Sequence, residues 1–329
     1  MTADVLSDVL RAIRLTGAVY FDFELSSPWV AEAPPSREIA GRVMPGAQRV
    51  IEYHLLARGT CWGHVVGEEP MLLREGDLIV FPQGDAHVLS SAPGMRAAPD
   101  MSAFARPSTP LPIMYELGGG GPERARVVCG FLGCDDRPYN PLLTALPKVI
   151  HLSAAASHAT SGWLGTLLNI AVKESGSARA GGENVLARLS ELMFVEAIRR
   201  YIETLPPAET GWLAGLRNPI VGQALAALHG KPSDAWTVDR LARLVGLSRS
   251  VFAERFTEMV GQPPMQYLAL WRMQLASRLL VEGGHVAAVA CAVGYESEAA
   301  FSRAFKKLVG QAPATWRRAT IPVATSLNR

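Results

Sequence analysis

The sequence has little of what marks a secreted or membrane-bound chain. Its 329 residues include only four cysteines, Cys61, Cys129, Cys134 and Cys291. These are expected to stay reduced unless they bind metal or sense oxidants. No apolar run reaches the ~18 residues of a membrane helix. The opening MTADVLSDVLRAIR is acidic early and lacks the basic-then-apolar pattern of a leader. These absences predict a cytoplasmic protein with no membrane partner. Catalytic signatures are missing too. The serines of 153–161 lie near His151 and His158 in sequence only, which does not make a triad. The run Gly118–Gly121 is not followed by the Lys-Ser/Thr of a phosphate loop, and reads as a flexible hairpin.

Net charge is also small, +2, but unevenly placed. Residues 217–318 carry +6 and residues 1–216 carry −5. A basic C-terminal part beside an acidic N-terminal one fits a nucleic-acid reader joined to something else. The length predicts two domains, and 49% hydrophobic residues are enough for buried cores.

Hydrophobic periodicity changes along the chain. Residues 2–14 read as an amphipathic helix that Thr2 can cap. Strands are predicted over 17–25, 49–57, 60–66, 76–81 and 124–134, separated by Gly, Pro and Asp clusters. Many short strands with turn signals indicate a small β-barrel or sandwich. Helices are predicted over 161–174 and 183–204, the second with an apolar face wide enough to pack on the barrel or against a second copy. Residues 205–219 read as a linker. Helices follow over 219–229 and, opened by Pro263 and Pro264, to about Val281.

Residues 237–318 contain an internal repeat. Gly246 recurs as Gly294, and Phe256, Gly261 and Pro264 recur as Phe305, Gly310 and Pro313. Each copy has helix-turn-helix logic. Leu241, Ala242 and Val245 bury a first helix, Gly246 turns the chain, and Ser248 caps a second helix buried by Val251, Phe252 and Phe256. Val289, Ala290, Val293, Gly294, Ser297, Ala300, Phe301 and Phe305 repeat the arrangement. Cys291 reads as core. Helix-turn-helix geometry alone does not exclude a pair of helical hairpins that bind a partner protein.

The second copy carries Val286, Ala287, Val293, Gly294, Tyr295, Ser297, Ala300, Phe301, Arg303, Ala304, Phe305, Lys306, Gly310, Pro313, Trp316 and Arg317. This set resembles the signature of the AraC/XylS transcription regulators. The resemblance implies base contacts from Ser250, Ala253 and Glu254, then from Ala299, Ser302 and Arg303. Arg303 could read guanine by a bidentate pair. Glu254 could instead pair with Arg249 or Arg255. Arg249, Lys306 and Lys307 fit phosphate, and Glu298 also lies off the buried face. Double-stranded DNA, a second copy of the chain and RNA polymerase are the implied partners.

Gly76, Pro82, Gly84 and His87 match the second motif of cupins, while the first motif keeps only His54. That pattern, with YHLLARGTCW and CGFLGCDDRPYNPLLTALP, is similar to the cupin-like sensor domains that precede AraC-type DNA-binding domains. The expected fold is thus α+β. A cupin-like β-barrel with a helical hairpin (1–205) is followed by a linker (206–217) and an all-α domain with two helix-turn-helix units (218–320). The expected function is DNA-binding regulation governed by a small ligand, metal or oxidant, and no enzymatic activity. The alternative is a metal-dependent cupin enzyme fused to a DNA reader. His54, His87, Cys129 and Cys134 form a candidate zinc set, because imidazole and thiolate fill a tetrahedral shell. The alternatives are a redox pair, or core histidines with buried thiols.

Overall fold

A computed structural model of the chain describes every residue except 1–3, 105–110, 136–137, 155–162, 178, 207 and 321–329. The described residues form two compact units: 14–135 with 146–204, and the remainder, drawn from 1–13, 136–145 and 205–329. The fold is α+β, as the patterning predicts.

The first unit contains two sheets. One has the spatial order β10 (Ile150–Leu152), β6 (Leu78–Phe81), β3 (Arg49–Arg58), β9 (Arg124–Cys134), β1 (Thr16–Ser26), β8 (Ile113–Gly118). The other runs β2 (Val30–Ala33), β7 (His87–Ser90), β4 (Thr60–Val65), β5 (Met71–Arg74). A short helix, α2 (Ser36–Val43), lies between β2 and β3. The core between the sheets is made by alternate residues: Phe21 and Leu25 of β1, Ala125, Val127, Cys129 and Phe131 of β9, and Leu73, Phe81 and Leu89 from β5, β6 and β7. β3 is buried along most of its length rather than on alternate residues. The reason is a second cover. Tyr53, on its other face, meets Ser190 of helix α5 (Gly182–Thr204) at 2.5 Å. A Cβ on Gly17 would lie 2.4 Å from the Ala187 carbonyl oxygen, so glycine permits α5 to rest on β1. α5 follows α4 (Trp163–Ser175) and buries Leu186, Leu189, Met193, Phe194, Ala197 and Ile198, while Val185 and Leu192 stay exposed.

The second unit is helical. It contains α6 (Trp212–Arg217), α7 (Pro219–Gly230), α8 (Val238–Leu244), α9 (Arg249–Val260), α10 (Pro264–Val281), α11 (Val286–Ala292), α12 (Glu298–Val309) and α13 (Pro313–Thr320). Two elements from the N-terminal half belong here: α1 (Val5–Ala12), which packs on α7 and α10, and α3 (Pro141–Ala145), which packs on α6. The expected domain boundary at 205 assigns both stretches to the barrel domain. Their burial explains the change, since Val5, Val9 and Ala12 of α1 and Leu142 and Leu143 of α3 all enter the core of the helical unit. α1 is capped by Asp4, which accepts from Ser7 N at 3.1 Å; Thr2 lies outside the described residues. The expected linker is partly structural as well. Trp212 is buried on α6 and donates from Nε1 to Tyr267 Oη at 2.8 Å. Among the described residues no helix is long and apolar enough to cross a membrane.

Candidate functional site

The candidate DNA-reading helices are α9 and α12. Gly246 and Gly294 turn into them with φ of 71° and 82°. Ser248 and Ser297 cap them, accepting from Val251 N at 3.4 Å and Ala300 N at 3.2 Å. Phe252 and Phe256 are fully buried on α9, as are Phe301 and Phe305 on α12. That packing turns Arg249, Ser250 and Glu254 outward from the first, and Glu298, Ala299, Arg303, Lys306 and Lys307 outward from the second. Ala253 and Ser302 are half-buried at the edges of these faces. Arg249 lies 3.7 Å from Asp239, an exposed pairing of little energetic weight. Two core assignments need correction. Val251 is 48% exposed, because the buried stripe of α9 is Phe252, Phe256 and Val260, spaced by four. Cys291 is exposed, because α11 turns Val289 and Ala290 inward instead.

Arg272 of α10 went unnoticed in the sequence. It donates to the carbonyls of Pro232 at 2.7 Å, Asp234 at 2.9 Å and Gly294 at 3.4 Å. The two helix-turn-helix units are thus tied to the helix between them, and only the bonded geometry reveals it.

The second site is inside the barrel. His54, on the inner face of β3, and His87, at the start of β7, come from opposite sheets and meet at 2.6 Å, Nε2 to Nε2. His54 Nδ1 lies 2.9 Å from Cys129 Sγ. His87 Nδ1 lies 3.0 Å from the Asp85 carbonyl oxygen, to which it must donate. That bond fixes every proton along the row. His87 Nε2 is bare and accepts from His54 Nε2, which leaves His54 Nδ1 bare to accept from the Cys129 thiol. The ring of Phe81 stacks on His87 at 3.8 Å.

Glu52, two residues before His54 and on the same face of β3, completes the group. Its Oε1 accepts from Ser36 Oγ at 3.1 Å, and its Oε2 is 3.8 Å from His87 Nε2. Burial pushes the Glu52 carboxyl up to about 8, opposed by the Ser36 bond. Burial lowers His87 to about 4 and His54 well below its ordinary value, the latter aided by neighbouring His87. The Cys129 thiol is raised well above its usual range by burial, then by nearby Glu52. Burial thus disfavours the charged form of both Glu52 and His87.

Ligand atoms of Glu52, His54 and His87 lie within 4.8 Å of one another, so this buried group could hold a metal ion. The donor set fits a divalent cation. His87 already has its second nitrogen on a carbonyl, the usual support for a ligating imidazole. The two Nε2 atoms would have to part from 2.6 Å to about 3.3 Å, the separation that ~2.05 Å bonds impose in a tetrahedral shell. The expected His/His/Cys/Cys set is not what the structure assembles. Cys134 is five residues from Cys129 on a continuous strand, so it faces the other side of the sheet, paired with Arg49. Cys129 backs His54 on its far nitrogen. The first cupin motif, read as keeping only His54, does not include Glu52, which precedes it by two residues. Strand alternation from His54 was the signal that could have found it.

A cupin family model matches residues 4–203, and a helix-turn-helix domain model matches residues 241–319. The chain is 36% identical over 276 residues to an AraC-like transcription regulator of Streptomyces lividans, covering 83% of this chain and 88% of that one. It is 34% identical over 324 residues to another from Streptomyces antibioticus, covering 97% and 100%. To the HTH-type transcriptional regulator AlkR of Acinetobacter baylyi it is 30% identical over 277 residues, covering 81% and 90%. A cupin unit, paired helix-turn-helix motifs and relatives that are regulators rather than enzymes lead to one conclusion: the chain belongs to the AraC-type family of DNA-binding transcription regulators.

Proposed function

We propose that the chain binds a specific double-stranded DNA sequence in the cytoplasm under the control of whatever occupies its barrel. Ser250, Ala253, Glu254, Ala299, Ser302 and Arg303 take the base edges, with α9 and α12 in successive major grooves. Arg249, Lys306 and Lys307 take phosphates, and Glu298 flanks the second reading face. The sensing part is the barrel with α4 and α5. The reading part runs from about 205 and includes α1 and α3. Exposed Ile170, Val185 and Leu192 on α4 and α5 supply an apolar face for a second copy of the chain. RNA polymerase is the further partner through which a bound regulator would act.

The observation that carries barrel control is the placement of Glu52, His54 and His87 on the wall of a largely apolar cavity. A zinc ion is one occupant these side chains suit, as a Lewis acid held by two imidazoles and a carboxylate with a coordination position left open. The chain's own residues would orient it: Asp85 through His87, Cys129 through His54, and Ser36 through Glu52.

The test begins by selecting a preferred site from random DNA with the full chain. Its affinity is then measured with chelator and with zinc. A shift of about 5–150-fold is expected from a coupled effector site. Equal affinity in both states would reject zinc as the controlling occupant, and failure to select any preferred sequence would reject specific reading.

A further inference from the structure

We infer that the barrel cavity takes an apolar organic cation, an amine whose aromatic or branched body lies among aromatic side chains while its ammonium group meets Glu52. The inference rests on the reading of this cavity as the effector site. The cavity holds about 220 Å³. Phe21, Trp29, Leu89, Phe104, Val127 and Phe131 make its apolar walls. Phe21 meets Phe104 edge-on at 5.7 Å and Phe131 at 6.4 Å, so the rings stand at angles around one space. Aromatic faces carry negative potential and attract cations.

The charge pattern points the same way. Among the described lining residues Glu32, Glu52, Asp100 and Glu116 are acidic, and none is Lys or Arg. Glu32 is held by Arg96 through bonds of 2.6 and 2.7 Å. Glu52 remains inside, with Asp100 and Glu116 exposed to solvent. Among the described lining residues an anionic ligand would find no Lys or Arg, and it would face a like-charged rim. A sugar would leave most of its hydroxyls against hydrocarbon, each unpaired group costing free energy. A divalent ion alone would use Glu52, His54 and His87 and leave the aromatic space unfilled. An ammonium group on an apolar body uses both ends. Of the groups facing it Glu52 is the acceptor, because His87 Nε2 already meets His54 Nε2 at 2.6 Å.

The test is calorimetric titration of the chelator-treated full chain with benzylamine, benzyl alcohol, benzoate and toluene, which share one body and differ in the head. Benzylamine is expected to bind about tenfold or more tighter than each of the others. Glu52→Gln keeps the side chain's size and an oxygen for Ser36. It should lower benzylamine affinity about tenfold and leave toluene within about twofold, which also shows that the variant keeps its cavity. Added zinc should displace benzylamine. If benzoate or benzyl alcohol matches benzylamine, or if Glu52→Gln leaves benzylamine affinity unchanged, the cationic class is wrong while the cavity remains an effector site. If none of the four binds, the cavity is not an effector site and the underlying reading fails with it.

Discussion

The side-chain amide of Gln274 donates to the carbonyl oxygen of Ala12, 3.2 Å away and 262 positions earlier in the chain. The same amide accepts from Tyr139 N at 3.1 Å through its oxygen. One buried side chain on α10, the helix between the two readers, thus holds both N-terminal segments of the helical unit. Within the barrel unit, Arg14 donates to Asp135 through bonds of 2.6 and 2.8 Å. Gln274→Leu fills the space but strands the Ala12 carbonyl and the Tyr139 N–H. A loss of about 1–3 kcal/mol is expected for each group left buried and unpaired. Urea denaturation of the full chain measures it, and an unchanged midpoint would show that water replaces the amide.

Arg303 and Lys306 should separate base reading from phosphate binding. Arg303→Ala is expected to cost about 1–3 kcal/mol at the preferred DNA site and to relax choice at one base pair. Lys306→Ala should weaken preferred and random DNA alike and reduce the salt slope by about one. Binding isotherms at several salt concentrations on both DNAs make the comparison. Equal losses on both DNAs from Arg303→Ala would place it on phosphate.

Much of this architecture was legible because the signals were local. The caps at Ser248 and Ser297, the turns at Gly246 and Gly294 and the phenylalanine stripes are set by residues within a few positions of one another. The strand pattern was legible for β1, β3 and β9, which are long. It failed for β2, β5 and β7, whose four residues show no period that a turn could not also show. The transfer of α1 and α3 to the helical unit was not legible. An amphipathic face states that it will be covered, and nothing in its periodicity says by what. The barrel site was half legible: His54 and His87 are carried by a motif, whereas excluding Cys134 needed the strand's unbroken register.

His229 gives the helical unit a pH dependence of known sign. It is buried against Trp271, its Nε2 lies 2.7 Å from Tyr267 Oη, and burial lowers it to about 3. Below about pH 6.5 the unfolded chain takes up a proton that the folded unit refuses. This contribution is therefore intact above that pH and is lost as pH falls toward 3. Between pH 7.5 and 5 the loss should be about 2 kcal/mol, and His229→Gln should not show it. Paired denaturation curves at the two pH values isolate this contribution, and parallel losses in parent and variant would assign it elsewhere.

Leu192 tests assembly. It is 44% exposed on α5, whereas Leu189, one turn's neighbour, is only 7% exposed and serves the core. Leu192→Glu should therefore leave folding intact, within about 0.5 kcal/mol for a surface change. If α5 joins two copies, sedimentation should show dimers for the parent and monomers for the variant. A parent that stays monomeric at high concentration removes this face as the contact.

The last prediction distinguishes the assembled ligand set from the one suggested by residue type. If zinc binds, one ion per chain should be held by Glu52, His54 and His87. Removing either imidazole leaves two ligands, too few for a closed or a catalytic-type shell, so His54→Ala and His87→Ala should abolish measurable binding. Cys129 stands behind His54, 2.9 Å from its other nitrogen. Its role would be to orient that ring, and loss of such support lowers affinity about 10–100-fold without changing stoichiometry. Cys129→Ser keeps a hydrogen-bonding atom there and should fall at or below the lower end. Cys134 lies on the opposite face of β9 and cannot reach the ion, so Cys134→Ser should match the parent. Competition with a chromophoric zinc chelator gives all five affinities on one scale. If Cys134→Ser weakens zinc as much as His87→Ala does, zinc is held at a different site and the carboxylate-bearing set is wrong. If Cys129→Ser abolishes binding outright, the sulfur is itself a ligand rather than a support for His54.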